Sequence, residues 1–217
     1  MNFKSFFGIE ASAFKETCIV CQIYDMSLFA DNSISGMFVK TAQNQNATIV
    51  GLKNSFLAGD AVLLLKETKC KTVFLFGSCG GTGDVSIGDL VVIDKAYNFE
   101  SFSQMLAGVV EPDFAQGNPD LAADLIKTNS ACVSSLLLEN RFIDTYTKYG
   151  VNAVDMESSI IYSAAKSANI KACAVMYISD HLQKAPFGTV INALSKEKIS
   201  SARKKLSQII LDAINGK

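Results

Sequence analysis

The stretch Thr72-Val73-Phe74-Leu75-Phe76-Gly77-Ser78-Cys79-Gly80-Gly81 decides how the fold is read. Residues 72–76 form a continuous apolar run, the pattern of a strand covered on both faces. The run passes at once into a glycine-rich turn at 77–83. Glycines after a buried strand let the backbone come close to a ligand. Successive N–H groups there can form an anion-binding nest. Ser78 adds a hydroxyl, and Gly80 is a position without a side chain. A tight structural turn explains the same residues equally well. The turn is not a Walker A loop, because no Gly-Lys-Ser/Thr follows it.

Working outward, residues 17–24, 47–52, 90–93, 151–154 and 172–178 read as strands. Helical spacing marks 55–67, 157–168 and 191–214. A helix is expected over 118–127, with Pro119 at its first position. Another is expected over 141–149, stopped by Gly150. Strands alternating with helices imply an α/β architecture with an at least partly parallel sheet. No linker divides the chain, so residues 1–217 are expected to form a single domain. Ligands of such sheets bind at the carboxyl ends of strands. That rule draws attention to 77–83, 155–157 and 179–181.

Composition narrows the function. Twenty basic residues face 21 acidic ones, a net charge of -1. No basic field exists for nucleic acid. Hydrophobic residues are 49% and charged residues 19%, enough apolar material for a large core. No apolar stretch reaches the ~20 residues of a membrane span, and no signal peptide is evident. The cytoplasm is therefore the expected compartment. Cys18 and Cys21 have C-x-x-C spacing, but residues three apart on a strand point to opposite faces. A metal site is not expected, because the chain has a single histidine, His181.

Two further constellations carry chemistry. In Val154-Asp155-Met156-Glu157-Ser158 a strand runs directly into a helix. A carboxylate in the first helical turn is favoured by the dipole, so capping is one reading. Glu157 accepting hydrogen bonds from sugar hydroxyls, with Met156 on the apolar sugar face, is the other. In Tyr177-Ile178-Ser179-Asp180-His181 an aspartate ends an apolar strand. Burial raises the pKa of such a carboxyl, which can then serve as a general acid near neutral pH. Capping of the next segment is the competing account.

Taken together with Ile87-Gly88-Asp89-Leu90-Val91-Val92 and Tyr149-Gly150, these pieces resemble the nucleoside phosphorylase/nucleosidase superfamily over about residues 47–211. That superfamily includes purine nucleoside phosphorylase, uridine phosphorylase and methylthioadenosine/S-adenosylhomocysteine nucleosidase. The resemblance implies a three-layer α/β/α fold around a central mixed sheet. It implies cleavage of the N-glycosidic bond of a nucleoside, expected to be of the purine type. Asp180 would be the general acid for the base. Glu157 would bind the ribose hydroxyls, Met156 would pack on the ribose, and Ser78 would contact the nucleophile. Asp155 stands where the family has a glutamate. No cofactor is implied, with phosphate an open co-substrate. A homodimer or a hexamer built from dimers is implied as well.

The nucleophile half departs from the family pattern. A phosphorylase arginine two residues before the turn glycine is replaced by Leu75. The region 22–27 lacks the glycine, proline and arginine of the second phosphate loop. Leucine cannot supply the planar multi-donor recognition of phosphate that arginine does. Hydrolytic members carry an N-terminal glutamate that activates water, and Glu10 is the candidate. Three readings are thus in play: a phosphorylase with an atypical phosphate site, a hydrolytic nucleosidase, and a non-catalytic nucleoside-binding protein.

Overall fold

Apolar runs become strands here because neighbours cover both of their faces. In the computed structural model, which describes residues 2–216, β1 (Thr17–Gln22) shows this. Cys18 and Val20 join one apolar cluster and Ile19 and Cys21 the other, so the C-x-x-C pair is split across the sheet. All six cysteines are free and buried.

The other strands are β2 (Ser33–Ser35), β3 (Val39–Gln43), β4 (Ala47–Leu52), β5 (Thr72–Gly81), β6 (Leu90–Phe99), β7 (Phe114–Gln116), β8 (Ile126–Val133), β9 (Val151–Asp155) and β10 (Lys171–His181). They form one mixed sheet in the order β10-β6-β8-β9-β5-β1-β4-β3-β2, with β7 on β6. The block β4, β1, β5 and β10 is parallel. β10 also pairs with β6, so β5, β9, β8, β6 and β10 close into a ring.

Helices complete the three layers: α1 (Phe3–Phe7), α2 (Ala58–Leu64), α3 (Phe102–Ala107), α4 (Ile143–Lys148), α5 (Ser158–Ala168) and α6 (Ala193–Ile214). α1, α2 and α5 press Phe6, Phe7, Val62 and Ile161 against one face with Val73 and Leu75. α6 presses Ala202, Leu206 and Ile210 against the other with Phe74, Phe76 and Val175. Among the described residues, no helix is long and apolar enough to cross a membrane.

Several elements differ from their sequence pattern. The helix expected over 118–127 is a 3-10 turn, Pro119–Ala122, followed by β8. Thr128 and Ser130 mask the strand's apolar signature, yet both are buried. Ladder bonds to β6 and β9 on its two sides override local propensity. The helix expected over 141–149 is split into a 3-10 turn, Glu139–Phe142, and α4. The strand expected to end at Tyr24 stops at Gln22, and Ile23–Leu28 is 3-10. β6 runs to Phe99, six residues beyond expectation. The glycines at 77–81 are not a turn but the end of β5. They pair with Met176 through His181 of β10, and Gly80 and Gly81 also pair with β9.

Candidate functional site

β10 likewise continues past Ile178. A register shift between Ile178 and Asp180 bulges the strand at Ser179. Such a bulge re-aims the following side chain. Asp180, 7% exposed, faces Gly80 across the ladder, and a Cβ on Gly80 would meet its Oδ2 at 3.1 Å and Leu182 at 2.8 Å. The missing side chain at Gly80 is therefore what makes room for the carboxyl. Ser179 Oγ donates to Asp180 Oδ1 at 2.7 Å. Burial raises the Asp180 pKa, and the Ser179 hydroxyl opposes that shift.

The β9–α5 junction supplies two more carboxyls. Asp155, 5% exposed, accepts the N–H groups of Glu157 at 2.8 Å and Ser158 at 2.7 Å, and the Ser158 hydroxyl at 2.6 Å. It thereby satisfies backbone donors at the start of the helix that follows. Ser158 Oγ in turn lies 2.8 Å from Ser130 Oγ on β8. Burial raises the Asp155 pKa against these donors. Glu157 accepts from the Ser55 hydroxyl and, at 3.5 Å, from Gln22 Nε2. Burial first and the Asp155 charge second push the Glu157 carboxyl up to about 7.

These residues meet in one cleft of about 190 Å³. Its lining contains Ser78, Gly80, Asp155, Met156, Glu157 and Asp180 together. Ligand pockets ordinarily measure ~300–1,000 Å³. Here the rim residues Tyr24 and Phe187 are 63% and 64% exposed, so the space is open on that side. A larger groove of about 660 Å³ lies along α6 beside Asp89, Asp124 and Lys198, and gathers none of these strand-end groups.

The lining also includes the neutral residues Gln22, Tyr24, Leu75 and Ser78. Leu75 stays in the apolar core beneath it. Arg203 on α6 reaches the 22–27 region, but its Nε is ion-paired with Asp25, which is fully buried. Its guanidinium also lies 5.4 Å from the centre of the Tyr24 ring. Along 203–205 only Lys204 and Lys205 are exposed.

Glu10 is not brought to this cleft. Gly8, at φ 79°, ends α1 in the left-handed region and turns the chain back. Glu10 then sits exposed on the surface, 2.7 Å from Lys4 Nζ. His181 also has a structural task. Its Nδ1 accepts the N–H groups of Gln183 and Lys184 at 3.3 Å, leaving Nε2 to donate to Gly83 O at 3.2 Å. Among the described residues, no cluster of His, Cys, Asp or Glu could hold a metal ion.

Gln22, Tyr24, Ser55, Leu136 and Phe187 line the cleft without having been singled out by motif. Gln22 and Tyr24 were within reach of sequence reasoning, because Gln22 ends β1 and Tyr24 lies two residues beyond it. Leu136 and Phe187 stand in loops, where no periodicity marks them.

The family model of the phosphorylase superfamily matches residues 57–215. A DeoD-type purine nucleoside phosphorylase of Xenorhabdus nematophila is 30% identical over 132 residues, covering 55% of this chain and 56% of that protein. One from Aliivibrio fischeri is 23% identical over 183 residues, 76% of each chain. The first match thus spans little more than half of the relative's length. Among solved structures, a uridine phosphorylase from Vibrio fischeri superposes with a TM-score of 0.70 at 14% identity, over 94% of this chain and 93% of that one. A Campylobacter jejuni 5'-methylthioadenosine/S-adenosyl homocysteine nucleosidase superposes with a TM-score of 0.71 at 11% identity, over 94% and 100%. With more than half of its length matched by the family model and the same fold throughout, the chain belongs to the phosphorylase superfamily.

Proposed function

We propose that this protein cleaves the N-glycosidic bond of a purine-type nucleoside, with water as the nucleophile. One observation carries the choice of water. Three carboxyls, Asp155, Glu157 and Asp180, face a cleft whose remaining polar side chains are Gln22, Tyr24, Ser55, Ser78 and Ser179, all neutral. A phosphate anion entering that space would find no guanidinium in the lining to hold it, and an ionised Glu157 would repel it. Water meets no such penalty.

Each residue then has a task. Breaking the bond sends its electron pair to the base and leaves an oxocarbenium-like sugar. Asp180 gives its proton to the departing base. Glu157 accepts from the ribose hydroxyls and favours the developing positive charge. Met156 packs against the sugar. Ser78 holds the water, whose oxygen adds to the sugar carbon and whose surplus proton replaces the one Asp180 gave up. Asp155 is a positioning residue, because its oxygens are occupied by the start of α5. The reaction invokes no metal or organic cofactor. A second copy of the chain is proposed as partner.

The test is base release from a panel of purine and pyrimidine nucleosides, with and without phosphate. Release of a purine without phosphate is expected. Asp180→Asn should lower it ~10²–10⁴-fold, the usual size of general acid catalysis, with circular dichroism unchanged. A strict phosphate requirement would overturn the hydrolytic reading. Binding without turnover, seen as a thermal shift, would replace the enzyme by a nucleoside-binding protein.

A further inference from the structure

The chain at residues 22–25 is tied at two points. At one, Gln22 Nε2 donates to Glu157 at 3.5 Å. At the other stands Arg203 of α6. Its Nε is ion-paired with Asp25 Oδ1. Its Nη2 donates to Tyr24 O at 3.3 Å. The guanidinium carbon lies 5.4 Å from the centre of the Tyr24 ring, within the ~6 Å of a cation–π contact. One side chain from a distant helix thus touches the backbone of Tyr24, its ring, and the residue after it.

The segment needs such a tether. Ile23–Leu28 is a 3-10 turn, whose hydrogen bonds are poorer than those of an α-helix. It is seated on Gly51 of β4, where a Cβ would run into the Met26 side chain and come within 3.1 Å of the Ile23 Cα. That contact fixes the turn but not Tyr24, which is largely exposed. Asp25 is fully buried, and its Oδ2 has no hydrogen-bond partner. A buried ion pair of this kind is weak ground for stability, because desolvation offsets the attraction. What the pair does fix is the place of the guanidinium against Tyr24. Tyr24 shares the cleft lining with Gln22 and Ser55, and both of these donate to Glu157, the carboxyl assigned to the ribose hydroxyls.

We propose that Tyr24 contacts the nucleoside on the sugar side of the cleft and that Arg203 is the positioning residue that holds it there. A ring fixed before the ligand arrives loses less freedom on binding. The planar fork of Arg203 serves Asp25 and the Tyr24 carbonyl at once, which the point charge of a lysine cannot do. The ligand contact rests on the nucleoside-cleaving reading, whereas the hold of Arg203 on Tyr24 does not.

The experiment joins ¹⁹F NMR of the full chain, labelled with 3-fluorotyrosine at its six tyrosines, to the kinetics of base release. Tyr24→Phe assigns the Tyr24 signal. The variants are Arg203→Lys and, because a lone buried Asp25 charge endangers folding, Asp25→Leu with Arg203→Met, which replaces the pair by apolar groups. In both, the Tyr24 signal should move toward that of free 3-fluorotyrosine, while those of the buried Tyr146 and Tyr162 stay in place. Tyr24→Ala and Arg203→Lys should each raise KM ~3–10-fold, the size of one aromatic contact, with kcat within ~2-fold. Tyr24→Ala added to Arg203→Lys should raise KM no further, because both act through one ring. A Tyr24 signal that stays put in both Arg203 variants would overturn the proposal. So would an unmoved KM in Tyr24→Ala, or KM effects of the two residues that simply multiply. If the wild type neither cleaves nor binds a nucleoside, a moved Tyr24 signal upholds the hold of Arg203 while the nucleoside reading fails.

Discussion

Glu157 and Glu139 hold their protons far above the ordinary glutamate value of 4.5, each up to about 7, mainly because burial disfavours the charged form. A carboxyl raised in this way binds more protons folded than unfolded between those two pH values. The stability it contributes is therefore present below about pH 4.5 and is lost as pH rises through about 7. Each shift corresponds to at most about 3 kcal/mol. The melting temperature should fall between pH 5 and 8, and Glu157→Gln should flatten that fall. A wild-type melting temperature that rises steadily over this range would show that neither group is buried as described.

At the scale of the element, the end of β5 trades side chains for proximity. Gly80 touches Asp180 and Leu182 so closely that a methyl group there must displace them, whereas a methyl on Gly77 would meet nothing within 4 Å. Gly80→Ala should destabilise the protein by ~1–3 kcal/mol, the usual cost of overpacking, and reduce activity by moving Asp180. Gly77→Ala should change stability by less than ~0.5 kcal/mol. Chemical denaturation of the two variants checks the contrast; equal losses would mean that the ladder, not the Asp180 contact, makes glycine necessary. This element also shows how much of the site could be read in advance. The residue types at 78, 80, 157 and 180 pointed to the cleft, but the turn expected at 77–83 is strand. Its partners lie about a hundred residues away in β10, and no local pattern reports them.

The whole molecule leaves large apolar side chains in water beside the cleft. Phe56 is 86% exposed and follows Ser55; Leu137 is 93% exposed and follows Leu136. With Tyr24 and Phe187 they surround the cleft with apolar surface, which in a stable protein marks a binding surface. A second copy is the occupant we expect, in a homodimer or a hexamer built from dimers. Light scattering at micromolar concentration should give a mass of at least twice 23.3 kDa. Phe56→Glu with Leu137→Glu should lower it, and a monomer mass for the wild type would rule the partner out.

By itself the sequence determined the alternation of apolar runs with helical stretches, and with it an α/β architecture whose sheet is at least partly parallel. It also placed the candidate carboxyls at strand ends, because an Asp155 or Asp180 that follows an apolar run is a local matter of residue type and order. Tertiary structure alone decided the rest. β8 is a strand because β6 and β9 bond to it on both sides, although Thr128 and Ser130 hide its pattern. Glu10 left the site because Gly8 turned it toward Lys4. Contacts between residues distant in the chain depend on the closed ring of strands, and no window of sequence contains that closure.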